Sequence, residues 1–366
     1  MKNSDTARLT SSITFAAAGG ILLAAARFVP NFAENYDWYF YRPAAGFIGT
    51  FTGMVPFSLM ELVIAAIVFS VLVGIISMIF SARHGADAVL KKCGHIVLDL
   101  FCTLLGIFFW YCVFCGTNYY CNSFAEKAKL EVKDSTVTEL YILCDRLIDE
   151  ANGLSTELEH GENGVTVYPE SDFAMAKNAA KDFRGLYEDY PFLKMGGESF
   201  GTPKPVFFSS VMSDLQISGV YSPYTLEANV CAEGPDFLRG ATMMHEQTHM
   251  RGFMNEAEAN FTAFLACRES GDPYFRYSGT SLALLHSMNA LYSESPELFS
   301  RLREKYGENL SADMKAQNEY VKSHESAVSE VSDRVNDTYL KLNSQSAGSK
   351  SYGKMVDLLL AWQRQK

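Results

Sequence analysis

Long apolar runs fill the first third of the chain, and they decide its broad class. Three of these runs, at 13–29, 57–80 and 96–120, approach or exceed the roughly 20 residues that cross a bilayer as a helix. Their charged residues, Arg27, Glu61 and Asp99, lie near the ends of the runs. The pattern predicts a membrane domain with three transmembrane helices over residues 1–121. A cleaved signal peptide is the alternative for the first run, because Lys2 and Arg8 precede it and it is rich in alanine.

Residues 122–366 have a different pattern, in which apolar residues recur at helical spacing between polar ones. This spacing predicts the helices 137–157, 173–187, 237–251, 257–268, 281–292, 296–306 and 311–342, with a final apolar patch at 355–362. Between 205 and 232, β-branched and aromatic residues predict a strand, a turn at 219–223 and a second strand at 225–230. The expected architecture is a helical membrane anchor joined to a mainly α, α+β domain with a small hairpin or sheet.

Composition and charge narrow the possible partners. Hydrophobic residues make up 48% of the 366 residues, which agrees with contact with a lipid bilayer. The net charge of −11 and the scattered basic residues exclude a nucleic-acid-binding surface. Eight cysteines do not define a disulfide framework, and nothing in the sequence indicates an oligomeric state.

Basic residues near the apolar runs predict the orientation in the membrane. Lys2 and Arg8 precede the first run, and Arg83, Lys91 and Lys92 lie between the second and third runs. Basic residues favour the cytoplasmic side, so the loop 30–56 and the domain 122–366 are predicted to be extracytoplasmic. The aromatic residues of 36–41 suit a membrane interface.

The stretch 243–261, MMHEQTHMRGFMNEAEANF, carries the candidate chemistry. On a helix His245 and His249 lie one turn apart, about 6 Å along the axis, so that both imidazoles can bind one Zn²⁺. Glu246 can reach the water at an open metal position and act as a general base. The alternative is a buried helix whose histidines are satisfied without a metal. We disfavour this alternative because burying two histidines and a carboxylate unpaired costs free energy.

The third ligand has three candidates. Gly252 can end the helix, and Asn255 is a suitable N-cap for the next one. Glu258 would then complete a capping box with Asn255, which leaves Glu256 as the preferred ligand and Glu258 as the alternative. The neutral amide of Asn255 is a poor zinc ligand. Asn260 lies four residues after Glu256 on the same helix face and is placed to hydrogen-bond a ligand.

These residues resemble a known class of peptidase. HExxH followed by Glu256 and Asn260 resembles the pattern of the gluzincin metallopeptidases, including membrane zinc endopeptidases of the CAAX-protease type. The three apolar runs, with YSPYTLEANV, HEQTHMRGFMNEAEANFTAFLAC and YFRYSG, resemble an uncharacterised family of bacterial three-span membrane proteins with a predicted zinc-peptidase domain. The resemblance implies a zincin-like fold and a peptide or protein substrate. The chain departs from the gluzincin pattern in having Asn260 where Asp is common, and in its short ligand spacer.

The remaining expectations concern catalysis. A zinc peptidase needs a donor for the oxyanion, and Tyr277 is our first candidate, with Arg276 as the second. His286 is interpreted as a core histidine, and 225–230 as an edge strand that pairs with substrate. The expected function is therefore a membrane-anchored zinc metallopeptidase. The alternative is a proteolytically inactive zinc-binding sensor or scaffold. An intramembrane protease is disfavoured because HExxH lies far beyond the last apolar run.

Overall fold

The computed structural model describes residues 3–342 and 354–365, and this part of the chain is mostly helical. Its α-helices are α1 (Asn3–Phe28), α2 (Phe32–Tyr36), α3 (Arg42–Met54), α4 (Leu59–Ser81), α5 (Ala86–Phe114), α6 (Phe124–Ala128), α7 (Val137–Ser155), α8 (Asp172–Phe183), α9 (Ser209–Asp214), α10 (Arg239–His249), α11 (Glu256–Arg268), α12 (Pro273–Glu294), α13 (Pro296–Arg303), α14 (Glu308–Ser323), α15 (Ala327–Leu342) and α16 (Lys354–Gln365). The strands are β1 (Lys204–Val206), β2 (Gly219–Ser222) and β3 (Glu227–Cys231).

Three helices, α1, α4 and α5, are long and apolar enough to cross a membrane, as expected for a membrane protein. The third starts at Ala86 instead of residue 96, so Lys91 and Lys92 lie inside α5 rather than in a loop. It ends at Phe114, and Gly116–Tyr120 forms a 3-10 helix. The Thr117 hydroxyl donates to the Cys112 carbonyl at 2.6 Å, which satisfies an acceptor left free at the helix end. The orientation across the bilayer stays a prediction, and Lys2 lies outside the described residues.

The segment between the first two spans is helical rather than a loop. It contains α2, a π-helix (Asp37–Tyr41) and α3. Trp38, Tyr39 and Phe40 are exposed, as an interfacial belt requires. Tyr41 is fully buried and its hydroxyl donates to the Met250 carbonyl at 3.0 Å, so Tyr41 packs against the domain instead of joining the belt.

Helix α3 contacts the later part of the chain through glycines. A Cβ atom at Gly49 would approach the Phe200 ring to 2.7 Å, and one at Gly53 would overlap the Ser199 carbonyl oxygen. Small residues are needed here because α3 approaches the backbone of residues 196–200 closely. The predicted membrane domain and the predicted peptidase domain therefore meet in close contact.

The start of α4 makes a second contact with the later part of the chain. Glu227 on β3 accepts hydrogen bonds from the N–H groups of Leu59 and Met60, at 3.2 and 3.0 Å. These N–H groups lack partners within the helix, and a carboxylate at a helix N-terminus is favourable. Ser58 also bonds to Asn229 at 2.6 Å. The small sheet is thereby fixed to the end of a candidate membrane span.

The described strands form one sheet in the order β1-β3-β2, and this order corrects two predictions. Gly219–Ser222 form β2 rather than a turn, and the chain turns at 223–226, where Leu226 has φ 51°. The segment 225–230 is not an edge strand, because β3 pairs with β1 in parallel and with β2 antiparallel. Each residue of β3 is buried, which a central position explains. The edge strands are β1 and β2.

A large apolar core joins the helices of the later part. It includes buried side chains from α7, α8, α10, α11, α12 and α16. The predicted apolar patch at 355–362 is confirmed as part of this core, where Trp362 packs edge to face on Phe264. The predicted helix 311–342 is two helices, α14 and α15, and Ser326 and Ser329 exchange hydrogen bonds at the start of the second.

The glycine contact of α3 can be tested with a matched pair of substitutions. Gly53→Ala should lower the thermal midpoint of the full-length protein in detergent, because overpacking costs about 1–3 kcal/mol. Gly20→Ala is the control, since a Cβ atom there meets nothing within 4 Å. Equal midpoints for the two variants would show that α3 does not approach residues 196–200 as described.

Candidate metal centre

Three side chains that can bind a metal ion converge from α10 and α11. The ligand atoms of His245, His249 and Glu256 all lie within 4.8 Å of one another. The two Nε2 atoms are 3.0 Å apart. The Glu256 carboxylate lies 3.2 Å from Nε2 of His245 and 3.7 Å from Nε2 of His249. One ion can contact all three, so the structure contains a His-His-Glu group able to hold a metal.

A short turn brings the third of these residues to the first two. Helix α10 ends at His249, and Gly252 adopts φ 89°, the left-handed conformation that glycine tolerates best. Asn255 is the N-cap of α11, as predicted, and its Oδ1 accepts from the N–H groups of Ala257 and Glu258. Glu256 is therefore the first residue of α11. Its carboxylate faces back toward the end of α10.

Both imidazoles are fixed by hydrogen bonds on the side away from the group. Nδ1 of His245 lies 2.7 Å from Oδ1 of Asn260, and Nδ1 of His249 lies 2.8 Å from the Phe253 carbonyl oxygen. A carbonyl oxygen can only accept, so Nδ1 carries the proton in each neutral ring and leaves Nε2 with a lone pair. Metal-binding histidines have this arrangement. Asn260 therefore lies where the sequence predicted, beside a candidate ligand.

Charges within the group oppose the effect of burial. Burial disfavours protonation of His249, but the negative charge of Glu256 and its hydrogen bond outweigh burial and raise the pKa of His249 to about 9. Burial likewise disfavours ionisation of Glu256, yet the charge of His249 and the hydrogen bond from His245 lower the pKa of Glu256 well below its usual range. The carboxylate is thus ionised at neutral pH, as a ligand must be.

Glu246 lies beside the group, between α10 and β2. Only 4% of its surface is exposed, and the Tyr221 N–H donates to its carboxylate. A Cβ atom at Gly219 would come within 2.5 Å of its Oε1, so a glycine leaves the space that Glu246 occupies. Burial raises the pKa of Glu246 more than the charges of His245 and His249 lower it. Its Oε2 has no hydrogen-bond partner among the described residues, and it can therefore accept a proton or bind water.

The group and Glu246 face a cavity of about 940 Å³. Much of its lining is aliphatic or tyrosine, and it comes from α5, β2, α12 and α15. Side chains of these elements in the lining are Tyr111, Val220, Tyr221, Leu282, His286, Val328, Val331, Val335 and Tyr339. The edge strand β2 lies along one wall, and the volume accommodates several residues of an extended chain.

Glu258 occupies the other side of the turn. Its carboxylate accepts a hydrogen bond from the Phe124 N–H instead of closing a capping box with Asn255. Burial raises its pKa to about 7. It lines a separate polar cavity of about 180 Å³. The structure thus brings Glu256, and not Glu258, to the two imidazoles.

The two predicted oxyanion donors are not brought to the cavity. The hydroxyl of Tyr277 donates to Asp313 at 2.6 Å inside the core, and neither Tyr277 nor Arg276 lines the cavity. Both lie in the first turns of α12, whereas Leu282 and His286 contribute its cavity face.

His286, interpreted from the sequence as a core histidine, lines the cavity close to His245. Burial, together with the charge of His245, lowers its pKa to about 4. His286 is therefore a neutral imidazole at neutral pH. One weak signal in the sequence indicated that His286 could line the cavity: it lies four residues after Leu282, so the two side chains share one helix face.

Comparisons with known proteins identify the family of this chain, and the function of that family is unknown. The family described as Protein of unknown function (DUF3810) matches residues 36–360, which is most of the chain. No curated protein and no solved structure shows a significant match. The resemblance to gluzincins therefore rests on the motif residues, and the zincin-like fold stays a prediction.

The choice of third ligand can be tested by metal content. The full-length protein purified with zinc should retain about one ion per chain, and Glu256→Gln should lose most of it, because a neutral amide is a weak ligand. Glu258→Gln is the matched control, since it makes the same change at a second glutamate on the other side of the turn. Loss of metal from Glu258→Gln with retention by Glu256→Gln would reverse the assignment.

Proposed function

We propose that this chain, which belongs to the DUF3810 family of unknown function, is a membrane-associated zinc metallopeptidase. The observation that carries the proposal is the group of His245, His249 and Glu256 beside the buried carboxylate of Glu246. Two imidazoles and one carboxylate are the donor set of many catalytic zinc sites, which keep one position open.

The distances fit this donor set. Ligand atoms that surround a tetrahedral zinc ion at about 2.0–2.2 Å lie about 3.3–3.5 Å from one another. The three separations in this structure are 3.0, 3.2 and 3.7 Å. When bound, zinc would supply a water of lowered pKa and polarise a carbonyl group.

Glu246 is the proposed general base. It has a free oxygen beside the group, and its pKa is raised, so it can take a proton from the attacking water. The same carboxyl group can then give that proton to the leaving amine nitrogen. In this hydrolysis the C–N bond breaks and the water oxygen forms the new C–O bond. Both protons of the water end on the products.

A peptide is the favoured substrate because the cavity contains a strand edge. Strand β2 pairs with β3 on one side, and its Val220 and Tyr221 line the cavity. An extended peptide can add to such an edge through main-chain hydrogen bonds, which would hold its scissile bond near Glu246.

His286 is the proposed donor to the oxyanion, in place of Tyr277 and Arg276. It lines the cavity near His245 as a neutral imidazole, and a neutral imidazole carries one N–H group. A fixed donor of this kind stabilises charge that develops on the carbonyl oxygen.

One observation favours the alternative function of a zinc-binding sensor or scaffold. Sγ of Cys115, directly after α5, lies 3.7 Å from Sδ of Met254 in the turn between the two ligand helices. Metal binding at this turn could alter its contact with a membrane span. The activity of Glu246 variants separates the two functions.

Glu246→Gln should retain zinc and reduce hydrolysis of a fluorogenic peptide mixture by the full-length protein at least about 10³-fold, since it removes the proton acceptor. Glu258→Gln is the control and should retain activity. Zinc binding without any peptide hydrolysis in the unmodified protein would favour the sensor, and activity that survives Glu246→Gln would exclude Glu246 as the base.

His286→Phe should lower kcat by roughly 10²–10³-fold with little change in KM, because its donor acts mainly in the transition state. Tyr277→Phe is the control, and its kcat should stay close to that of the unmodified protein. The same loss in both variants, or a loss in KM alone, would contradict the role of His286.

A further inference from the structure

The end of the third candidate span forms part of the metal centre. Tyr221, whose N–H holds Glu246, donates its hydroxyl to the Phe114 carbonyl at 3.0 Å, on the last residue of α5. Tyr111 and Cys115 line the cavity together with Glu256. The group is therefore adjacent to the end of a span, although the sequence separates them widely.

An exposed apolar surface continues from the span ends across the later part of the chain. We define this juxtamembrane surface by Phe47, Phe51, Met54, Phe207 and Phe208, which are 67%, 56%, 62%, 86% and 58% exposed. The first three lie on α3, while glycines of the same helix contact residues 196–200. The face of α3 away from that contact is therefore apolar and exposed.

Phe207 and Phe208 are fixed to a span end. Their N–H groups donate to the Glu61 carboxylate at 3.0 and 2.9 Å, and Glu61 lies in the first turn of α4. Clusters of exposed apolar side chains mark interaction sites, and aromatic side chains are favoured at the membrane interface. Since the surface is continuous with the apolar span α4, the partner that fits it is the lipid bilayer. The metal centre is then held close to the head groups.

The lining of the cavity suits a substrate polypeptide with large apolar side chains. Valines of α15 at positions 328, 331 and 335 share one helix face, and they line the cavity together with β2. Tyr224 and Ile217 add apolar surface near β2. Trp and Tyr, which present large apolar rings, are enriched where a membrane anchor meets the interface.

We propose that the substrates are polypeptides anchored in the same bilayer, cut in the extended segment next to their anchor. This inference rests on the proposed peptidase function and adds the substrate class to it. The juxtamembrane surface fixes the height of the cavity above the bilayer, and an anchor holds the substrate segment at the same height. A tether also raises the local substrate concentration at the cavity.

The test compares one set of peptide sequences in two forms. Mixed 12-residue segments are joined to an apolar span of roughly 20 residues, or to a soluble tail of equal length. The full-length, zinc-loaded protein is reconstituted in phosphatidylcholine vesicles with the first form inserted or the second form added, and mass spectrometry measures cleavage. The anchored form should be cut on the order of tenfold or more faster, because tethering raises its effective concentration.

The other outcomes are separable. Equal rates for the two forms would overturn the anchored-substrate inference and leave the peptidase function standing. Absence of cleavage in both forms by the zinc-loaded protein would overturn the peptidase function and the inference with it.

A paired substitution tests the role of the surface. The double variant Phe207→Ser/Phe208→Ser changes two exposed side chains and should lose most of the preference for the anchored form, while cutting the soluble form at the unmodified rate. Phe173→Ser is the matched control. The Phe173 side chain is 51% exposed. Its neighbour Asp172 pairs with Arg239 at the start of α10, whereas His249 and the turn lie at the other end of that helix. A full preference retained by the double variant would overturn the role of the juxtamembrane surface.

Discussion

Two imidazoles and a carboxylate lie largely buried within 4.8 Å of one another, which is costly unless their charges and hydrogen bonds are satisfied, and the local structure is built around that group. The cost is met partly by hydrogen bonds that the Nδ1 atoms of the two rings donate to Oδ1 of Asn260 and to the Phe253 carbonyl oxygen. It is met further by the attraction between the Glu256 carboxylate and His249. The turn at Gly252 and the cap at Asn255 hold the two helices in this arrangement.

The region of the candidate spans contributes to that arrangement through hydrogen bonds of two tyrosines, Tyr41 and Tyr221. Tyr41 donates to the Met250 carbonyl directly after α10, and Tyr221 donates to the Phe114 carbonyl at the end of α5. Their hydroxyl oxygens are 3.3 Å apart, and both residues belong to one apolar cluster. Because this cluster contains residues from both sides of the predicted boundary at 121, the centre depends on the membrane part for its packing.

Local features of the sequence were sufficient for the ligand group. The four-residue spacing of the histidines, the glycine and the N-cap depend on short-range geometry, and they placed Glu256 beside the histidines. The capping box that was predicted to occupy Glu258 is not formed. Features that depend on long-range packing could not be predicted from the sequence. Tyr277 and His286 lie on one helix, and only the packing of α12 decides that His286 lines the cavity while Tyr277 bonds to Asp313. The strand order and the contact between Cys115 and Met254 depend on residues far apart in sequence, which periodicity cannot relate.

X-ray absorption spectroscopy of the zinc-loaded, full-length protein tests the central claim most directly, since it reports the donors around the ion. The account predicts two imidazole nitrogens and carboxylate or water oxygens at about 2.0–2.2 Å, with no sulfur shell. A sulfur shell near 2.3 Å, or a spectrum without imidazole scattering, would contradict the account.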